Sequence, residues 1–339
     1  MKRLYSGMDL HSSNTYIGIL DQERRRIFKK RVPNDLERIL QSIEPFRKHL
    51  SGIAIESTFN WYWLVDGLMD AGYKVHLANP AKMEIYKGMK HQDDKVSAFW
   101  LAELLVLNIL PEGYIYPKED RPVRDLTRKR GYFVKQRTSN KLSFQSLIER
   151  NTGEHLSCRE LDSLHISDIK TLLKHDFLVS AALAHYQTIL HYNHIIDQIE
   201  KKIFAVAKLR EPFHLLLTIT GVGKILAITI MYEVGDIRRF AQVGDFSSYC
   251  RCVPSRKSSN EKFKGEANKR NGNKYLSWAF AEAAHFAVIH SARAKKYYDR
   301  KKSQTNLMVA ARALANKLSR ATFYMLRDKK PFREDALYC

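Results

Sequence analysis

Acids, cysteines and long apolar runs are the scarce features of this 339-residue sequence. Its four cysteines (Cys158, Cys250, Cys252, Cys339) form no Cys-x-x-Cys pair, which argues against both a disulfide framework and a structural zinc site. No window approaches the roughly 18 consecutive apolar residues of a membrane span. Asp9 and His11 fall where a secretory leader would carry its apolar stretch, so a cytoplasmic protein without a membrane partner is expected. Only 36 Asp and Glu face 57 Lys and Arg, a formal net charge of +21. That excess points to a polyanionic partner, because a strongly basic balance raises affinity for nucleic acid. A hydrophobic share of 45% excludes disorder throughout, and the length accommodates more than one separately cored domain.

The positive charge is clustered. Lys118–Arg150 holds ten basic and four acidic residues, including Arg124, Arg128, Lys129 and Arg130. Arg251–Lys274 holds eight basic and two acidic residues among seven Ser or Asn, a composition suited to a flexible loop that follows a phosphate backbone. Its candidate contacts are Arg256, Lys257, Lys262, Lys264, Lys269, Arg270 and Lys274. A third run, Arg293–Lys302, has six basic residues against Asp299 and reads equally well as a solvated helix face.

The first hundred residues alternate strand and helix. An apolar, β-branched run spans Leu4–Leu20, Arg24–Val32 reads as a return strand, and Asp35–Leu50 has helical spacing. Ile53–Ile55 is a short strand ending at Glu56. Trp61–Ala71 is an amphipathic helix and Tyr73–Leu77 another strand; Ala81–Gly88 and Val96–Leu110 follow as helices. This is an α/β pattern with a mixed sheet. Beyond Pro122 strands are not expected: Val123–Arg150 and Phe177–Leu209 read as long helices forming a hairpin or coiled-coil arm, and a mostly helical segment follows. The division expected is 1–117, 118–211 and 212–339.

Three acidic positions stand out from this background. Asp9 interrupts the first strand, Glu56 ends a strand placed beside it, and Asp93-Asp94 opens the Val96–Leu110 helix. An Asp at a helix start commonly caps free backbone N–H groups. Carboxylates from strand one, a later strand and a following helix together offer the hard oxygen ligands that hold Mg²⁺ in phosphoryl transfer, the layout of an RNase H-like nuclease. Leu215–Ala227, with its Gly221-Val222-Gly223-Lys224 centre, reads as a helix-hairpin-helix whose turn amides and Lys224 meet a nucleic-acid backbone. Ser258 and Ser259 sit among basic residues with no nearby His-Asp pair, so a hydrolase triad is not indicated.

The order of these motifs resembles the DEDD-type insertion-sequence transposases, the bridge-RNA-guided serine recombinases. Gly7-Met-Asp9-Leu-His11 resembles their first motif, Ile53-Ala-Ile-Glu56-Ser-Thr58 the second, and the run from Lys90 to Ala102 the third. Leu110–Leu126 is similar to the segment that follows in one branch. Gly221-Val-Gly223, the Ser258-Ser259 loop and Asn271–Ala284 resemble the C-terminal transposase domain. The resemblance implies a RuvC-like (RNase H-like) α/β domain, a helical coiled-coil arm and a mostly α-helical C-terminal domain. It implies Asp9, Glu56 and Asp94 as ligands of Mg²⁺ or Mn²⁺. It implies Ser259, with Ser258 as the neighbouring alternative, as the nucleophile that forms a transient 5′-phosphoserine. DNA, a structured non-coding guide RNA and further copies of the chain, dimers paired into tetramers, are the partners it implies, in a bacterial cytoplasm at the nucleoid.

One position departs from that pattern. The third motif ends in a second Asp three residues after the first, and Ser97 stands there. Spacing of i and i+3 puts both side chains on one helix face, so a serine offers the metal a weaker, neutral oxygen. Asp93 is the adjacent acid, rotated about 100° from Asp94. Two other functions share these residues: a metal-dependent structure-selective nuclease that uses water, and a nucleic-acid-binding remnant weakened by Ser97.

Overall fold

The computed structural model describes residues 3–83, 94–253, 256–259, 262–266 and 271–338, with backbone alone at 94–96, 256–259 and 262–266. It divides into two units, residues 1–118 with 255–271, and residues 119–254 with 272–339.

The first unit is built on five strands: β1 (Leu4–Leu10), β2 (Asn14–Asp21), β3 (Arg26–Pro33), β4 (Leu50–Glu56) and β5 (Val75–Ala78). They are ordered β3-β2-β1-β4-β5. β1 pairs antiparallel with β2 and parallel with β4, and β4 pairs parallel with β5. The apolar run of Leu4–Leu20 is thus a hairpin, turned at His11–Ser13. Because side chains alternate between faces, Met8, Ile17, Ile53 and Ile55 face one way, toward α1 (Leu36–Ile43) and α2 (Tyr62–Asp70). Helix α1 is shorter than the periodicity of Asp35–Leu50 implies. Pro45 lies in a tight turn over Glu44–Phe46 and Leu50 already belongs to β4. Helix α3 (Pro80–Met83) follows β5.

Gly7, Gly18, Gly52 and Ala54 face the other way, toward α4 (Asp94–Val106). A Cβ on Gly7 would lie 1.9 Å from the Ala98 carbonyl oxygen, so only glycine allows this approach. Leu101 and Ala102 also pack over Gly7, while Leu105 packs over Gly52, which pairs with Tyr5. The helix therefore runs antiparallel to β1, its first turn over the carboxyl ends of β1 and β4.

In the second unit α5 (Arg121–Thr152) and α8 (Asp176–Ala207) form an antiparallel hairpin of 32 residues each, about 48 Å long at 1.5 Å per residue. Between them α6 (Cys158–Ser163) and α7 (Ile166–Leu172) close a small core around Phe144, Ile148, Leu161 and Ile169. The remainder comprises α9 (Glu211–Leu217), α10 (Lys224–Val234), α11 (Val243–Tyr249), α12 (Lys274–His290), α13 (Ala292–Gln304), α14 (Leu307–Asp328) and α15 (Glu334–Leu337), while a ribbon of β6 (Arg256–Ser259) and β7 (Lys262–Glu266), inserted between α11 and α12, counts with the first unit. The base of α5 and α8 shares the core of these C-terminal helices through Val123, Leu126, Phe133, Ile199 and Ile203.

The ribbon corrects the expectation of an unstructured basic loop. Its strands pair Ser258 with Phe263 and Ser259 with Lys262. A strand carrying almost no apolar residues gives no period-2 signal to read. Cys250 and Cys252 are buried and Cys158 is exposed. Burial raises the Cys252 thiol to about 12 and Cys250 well above its ordinary value, which leaves both unreactive. Among the described residues no helix is long and apolar enough to cross a membrane.

Candidate active site and nucleic-acid surface

Asp9 follows Gly7 by two residues and Glu56 follows Ala54 by two, so both carboxylates share the sheet face that α4 covers. Met8 is paired with Ile55, which sets Asp9 and Glu56 beside each other on adjacent strands about 4.8 Å apart. Asp9 is only 8% exposed and Glu56 is half-buried. The first turn of α4 brings Asp94 to the same edge, and Ser97, buried, precedes the Ala98 that rests on Gly7. The side chain of Asp94 and all of Asp93 lie outside the described residues. Among the described residues no three His, Cys, Asp or Glu side chains are grouped to hold a metal ion.

The loops behind this edge are tied together at one atom. The His11 carbonyl accepts from Asn34 Nδ2 at 2.9 Å and from Asn60 Nδ2 at 3.0 Å. Thr15 donates to Asn34 Oδ1 at 2.8 Å, and Thr58 to Asn60 Oδ1 at 3.0 Å. The turn after β1 is thereby fastened to the segments after β3 and β4. His11 Nε2 also lies 3.6 Å from Asp9 Oδ2. Neither asparagine stood out in the sequence, where a polar residue after a strand reads as a turn.

The basic candidates separate into two groups. Arg124 is buried and Arg128 part-buried, and both side chains are turned toward an acid of the same unit. Arg124 is 7% exposed, and both bind the buried Glu233 of α10. Arg130 is held by Glu200 of α8 at 2.7 Å. These residues lie on the faces of α5 that meet α10 and α8, where a basic residue is retained only when an acid pairs with it. Lys129 is exposed and lies 5.1 Å from the Tyr132 ring. Lys224 and Lys274 are exposed first residues of α10 and α12. Arg256, Lys257, Lys262 and Lys264 lie on the ribbon, where backbone alone is described, together with Ser258 and Ser259; Lys269 and Arg270 lie outside the described residues.

Helices α9 and α10 flank a turn that contains Gly221 and Gly223. Gly221 has φ of +94°, and a Cβ there would meet the Ala283 carbonyl oxygen at 2.3 Å, so the turn rests directly on α12. Gly223 caps α10 without a side-chain hydrogen bond, and its open first turn borders a cavity of about 740 Å³ lined by Lys224, Trp278 and Phe286.

A mixed sheet of this order, with acids at its carboxyl edge beneath a helix start, is consistent with an RNase H-like domain. Residues 6–151 match a family described as a DEDD-type IS110 transposase, and residues 213–299 match the transposase IS116/IS110/IS902 family. The chain is 25% identical over 292 residues to the transposase for insertion sequence element IS1111A of Coxiella burnetii, across 81% of this chain and 76% of that one. It is 29% identical over 132 residues to an uncharacterized 43.6 kDa protein of insertion element IS110 from Streptomyces coelicolor, a match spanning 38% of this chain and 32% of that one. The chain belongs to the DEDD-type insertion-sequence transposases.

Proposed function

We propose that this chain catalyses the transposition of an insertion sequence, cutting and rejoining DNA through a phosphoserine. The observation that carries the reading is the convergence of Asp9, Glu56 and the start of α4 on one edge and one face of the sheet. Hard carboxylate oxygens from two adjacent strands and a helix start suit a divalent ion such as Mg²⁺ or Mn²⁺, with Asp9, Glu56 and Asp94 as its holders. When bound, the ion supplies Lewis-acid stabilisation of charge on the phosphoryl oxygens. Asp9 is fixed for this role by its burial and by the asparagine ties on the neighbouring His11 carbonyl.

In the proposed reaction the Ser259 hydroxyl oxygen attacks phosphorus, an Oγ–P bond forms, and the bond to the 3′ oxygen breaks. That oxygen leaves as a hydroxyl, and the reverse step on another 3′ hydroxyl rejoins the strand and releases the serine. Exposed Lys129, Lys224 and Lys274, with the ribbon lysines, would hold backbone phosphates. A structured guide RNA would then select the site by base pairing, with the protein contacting mainly backbone and helix shape. Further copies of the chain, as dimers paired into tetramers, would bring serine and carboxylates from different protomers together.

Trapping of the covalent complex on a nicked suicide substrate tests the reading. A protein–DNA adduct should form with the natural chain and with Ser258→Ala, and vanish with Ser259→Ala and with Asp9→Asn. Cleavage without any adduct would replace the serine by water and leave a metal-dependent nuclease.

A further inference from the structure

The buried carboxylate of Glu233 collects more partners than a local ion pair requires. Its Oε1 accepts from Arg128 Nε at 2.5 Å; its Oε2 accepts from Arg128 Nη2 at 2.8 Å, Arg124 Nε at 3.0 Å and Asn273 Nδ2 at 2.7 Å. Both arginines belong to α5, at the base of the long helical hairpin. Glu233 lies in α10, and Asn273 is the second residue after the chain re-enters the helical unit from the segment that bears Ser259.

Asn273 sits where that segment closes on itself. Its side-chain oxygen caps α12 by accepting from Tyr275 N at 2.8 Å and Leu276 N at 3.2 Å. Its own N–H donates to the Tyr249 carbonyl at 2.6 Å. Arg251 Nη2 donates to the Gly272 carbonyl at 3.1 Å, and Arg251 and Gly272 both have positive φ, at +56° and +83°. The outgoing and returning chains are therefore stitched into one root, and the root's one buried side-chain amide is held by Glu233. Arg128 also lies 4.3 Å over the Tyr275 ring in the first turn of α12, a second contact between α5 and the same root.

A buried ionic cluster is weak as a source of stability, since well-packed apolar residues of similar volume often serve as well or better. What the cluster offers is directional fixation, because several charge-assisted hydrogen bonds with fixed fork geometry allow one arrangement of the groups they join. We propose that Glu233, clasped by Arg124 and Arg128, is a positioning residue. It locks Asn273, and through it both ends of the Ser259-bearing segment, to the base of the α5–α8 arm. This rests on the serine reading above for its catalytic consequence, but not for the clasp itself.

The experiment compares the full-length natural chain with Glu233→Gln, which keeps the shape and removes the charge, and with Asn273→Ser. The serine variant preserves an N-cap for α12 but cannot reach Glu233. Three quantities are measured: amide hydrogen exchange at residues 251, 252 and 273, affinity for duplex DNA, and the rate of adduct formation on the suicide substrate. The expected result is exchange at the root faster by about tenfold and adduct formation slower by about tenfold in both variants. DNA affinity should stay within about twofold, and exchange in α14 should be unchanged in Asn273→Ser. Unchanged root exchange in that folded variant overturns the clasp. Faster root exchange with an undiminished adduct rate overturns its positioning role. A natural chain that forms no serine adduct removes the serine reading alone, and the clasp then stands or falls on the exchange data.

Discussion

Ser97 and Glu233 are two single residues whose substitution separates chemistry from scaffold. Ser97 is buried in α4 one turn after Asp94, on the stretch that rests against β1, so an aspartate there would add a charged oxygen close to Asp9 and Glu56. Ser97→Asp is expected to raise metal affinity and strand-exchange rate, by about 10-fold or more if the position is a ligand; equal rates across a Mg²⁺ titration would remove it from the ligand set. For Glu233, desolvation pushes the carboxyl pKa up, but the bonds from Arg128, the charges of Arg124 and Arg128 and the Asn273 amide outweigh it and hold the pKa below the ordinary value. A depressed folded-state pKa stabilises the fold above the unfolded value of about 4.3, and that contribution fades as pH falls through the folded-state pKa. Urea unfolding of the natural chain and Glu233→Gln should therefore show a stability gap that is constant from neutral pH to about 5 and closes only below about 4.3. A gap that closes near pH 7 would mean that another group controls it.

At the scale of elements, the seating of α4 on β1 is the contact on which the acidic edge depends. Gly7→Ala would place a methyl group 1.9 Å from the Ala98 carbonyl oxygen, and backbone cannot swing aside as a side-chain tip can. The helix must lift, at a cost of about 1–3 kcal/mol. The expected phenotype is a lowered melting temperature with metal affinity reduced more than DNA affinity; an unaltered melting temperature would show that α4 is free to shift.

Strands β1 and β4 and the two long helices could be read from the sequence because their apolar residues recur with the period of the element. Asp9 was visible as an acid interrupting an apolar run and Glu56 as one ending a strand, but the hairpin turn just after Asp9 was not. The clasp was half legible. Glu233 is the one acid within the apolar helix Lys224–Val234, which marks it as buried and paired, but its partners lie 105 and 109 residues away and no local pattern names them. The ribbon and the asparagine ties were not legible, since polar strands and polar turns look alike when apolar spacing is the guide.

At the scale of the molecule, the 57 Lys and Arg overstate the number of cations offered to a polyanion. Arg124 and Arg128 are committed to Glu233, Arg130 to Glu200 and Lys141 to Asp162. Affinity for duplex DNA should fall with log salt at about −0.9 per phosphate contacted. Lys224→Ala or Lys274→Ala should each make the slope shallower by about 0.9, whereas Arg124→Ala should leave it unchanged. A shallower slope for Arg124→Ala would return that arginine to the binding surface.

The hydrogen bond from Asn273 N–H to the Tyr249 carbonyl, at 2.6 Å, brings two distant points of the chain within the span of a tight turn. Residues 119–254 and 272–339 already compose one packed unit without the residues between them. The Ser259-bearing segment is therefore a graft: it enters and leaves the helical scaffold at a single seam. Its length and composition can vary, or the seam can be spliced shut, without rerouting any helix of the scaffold.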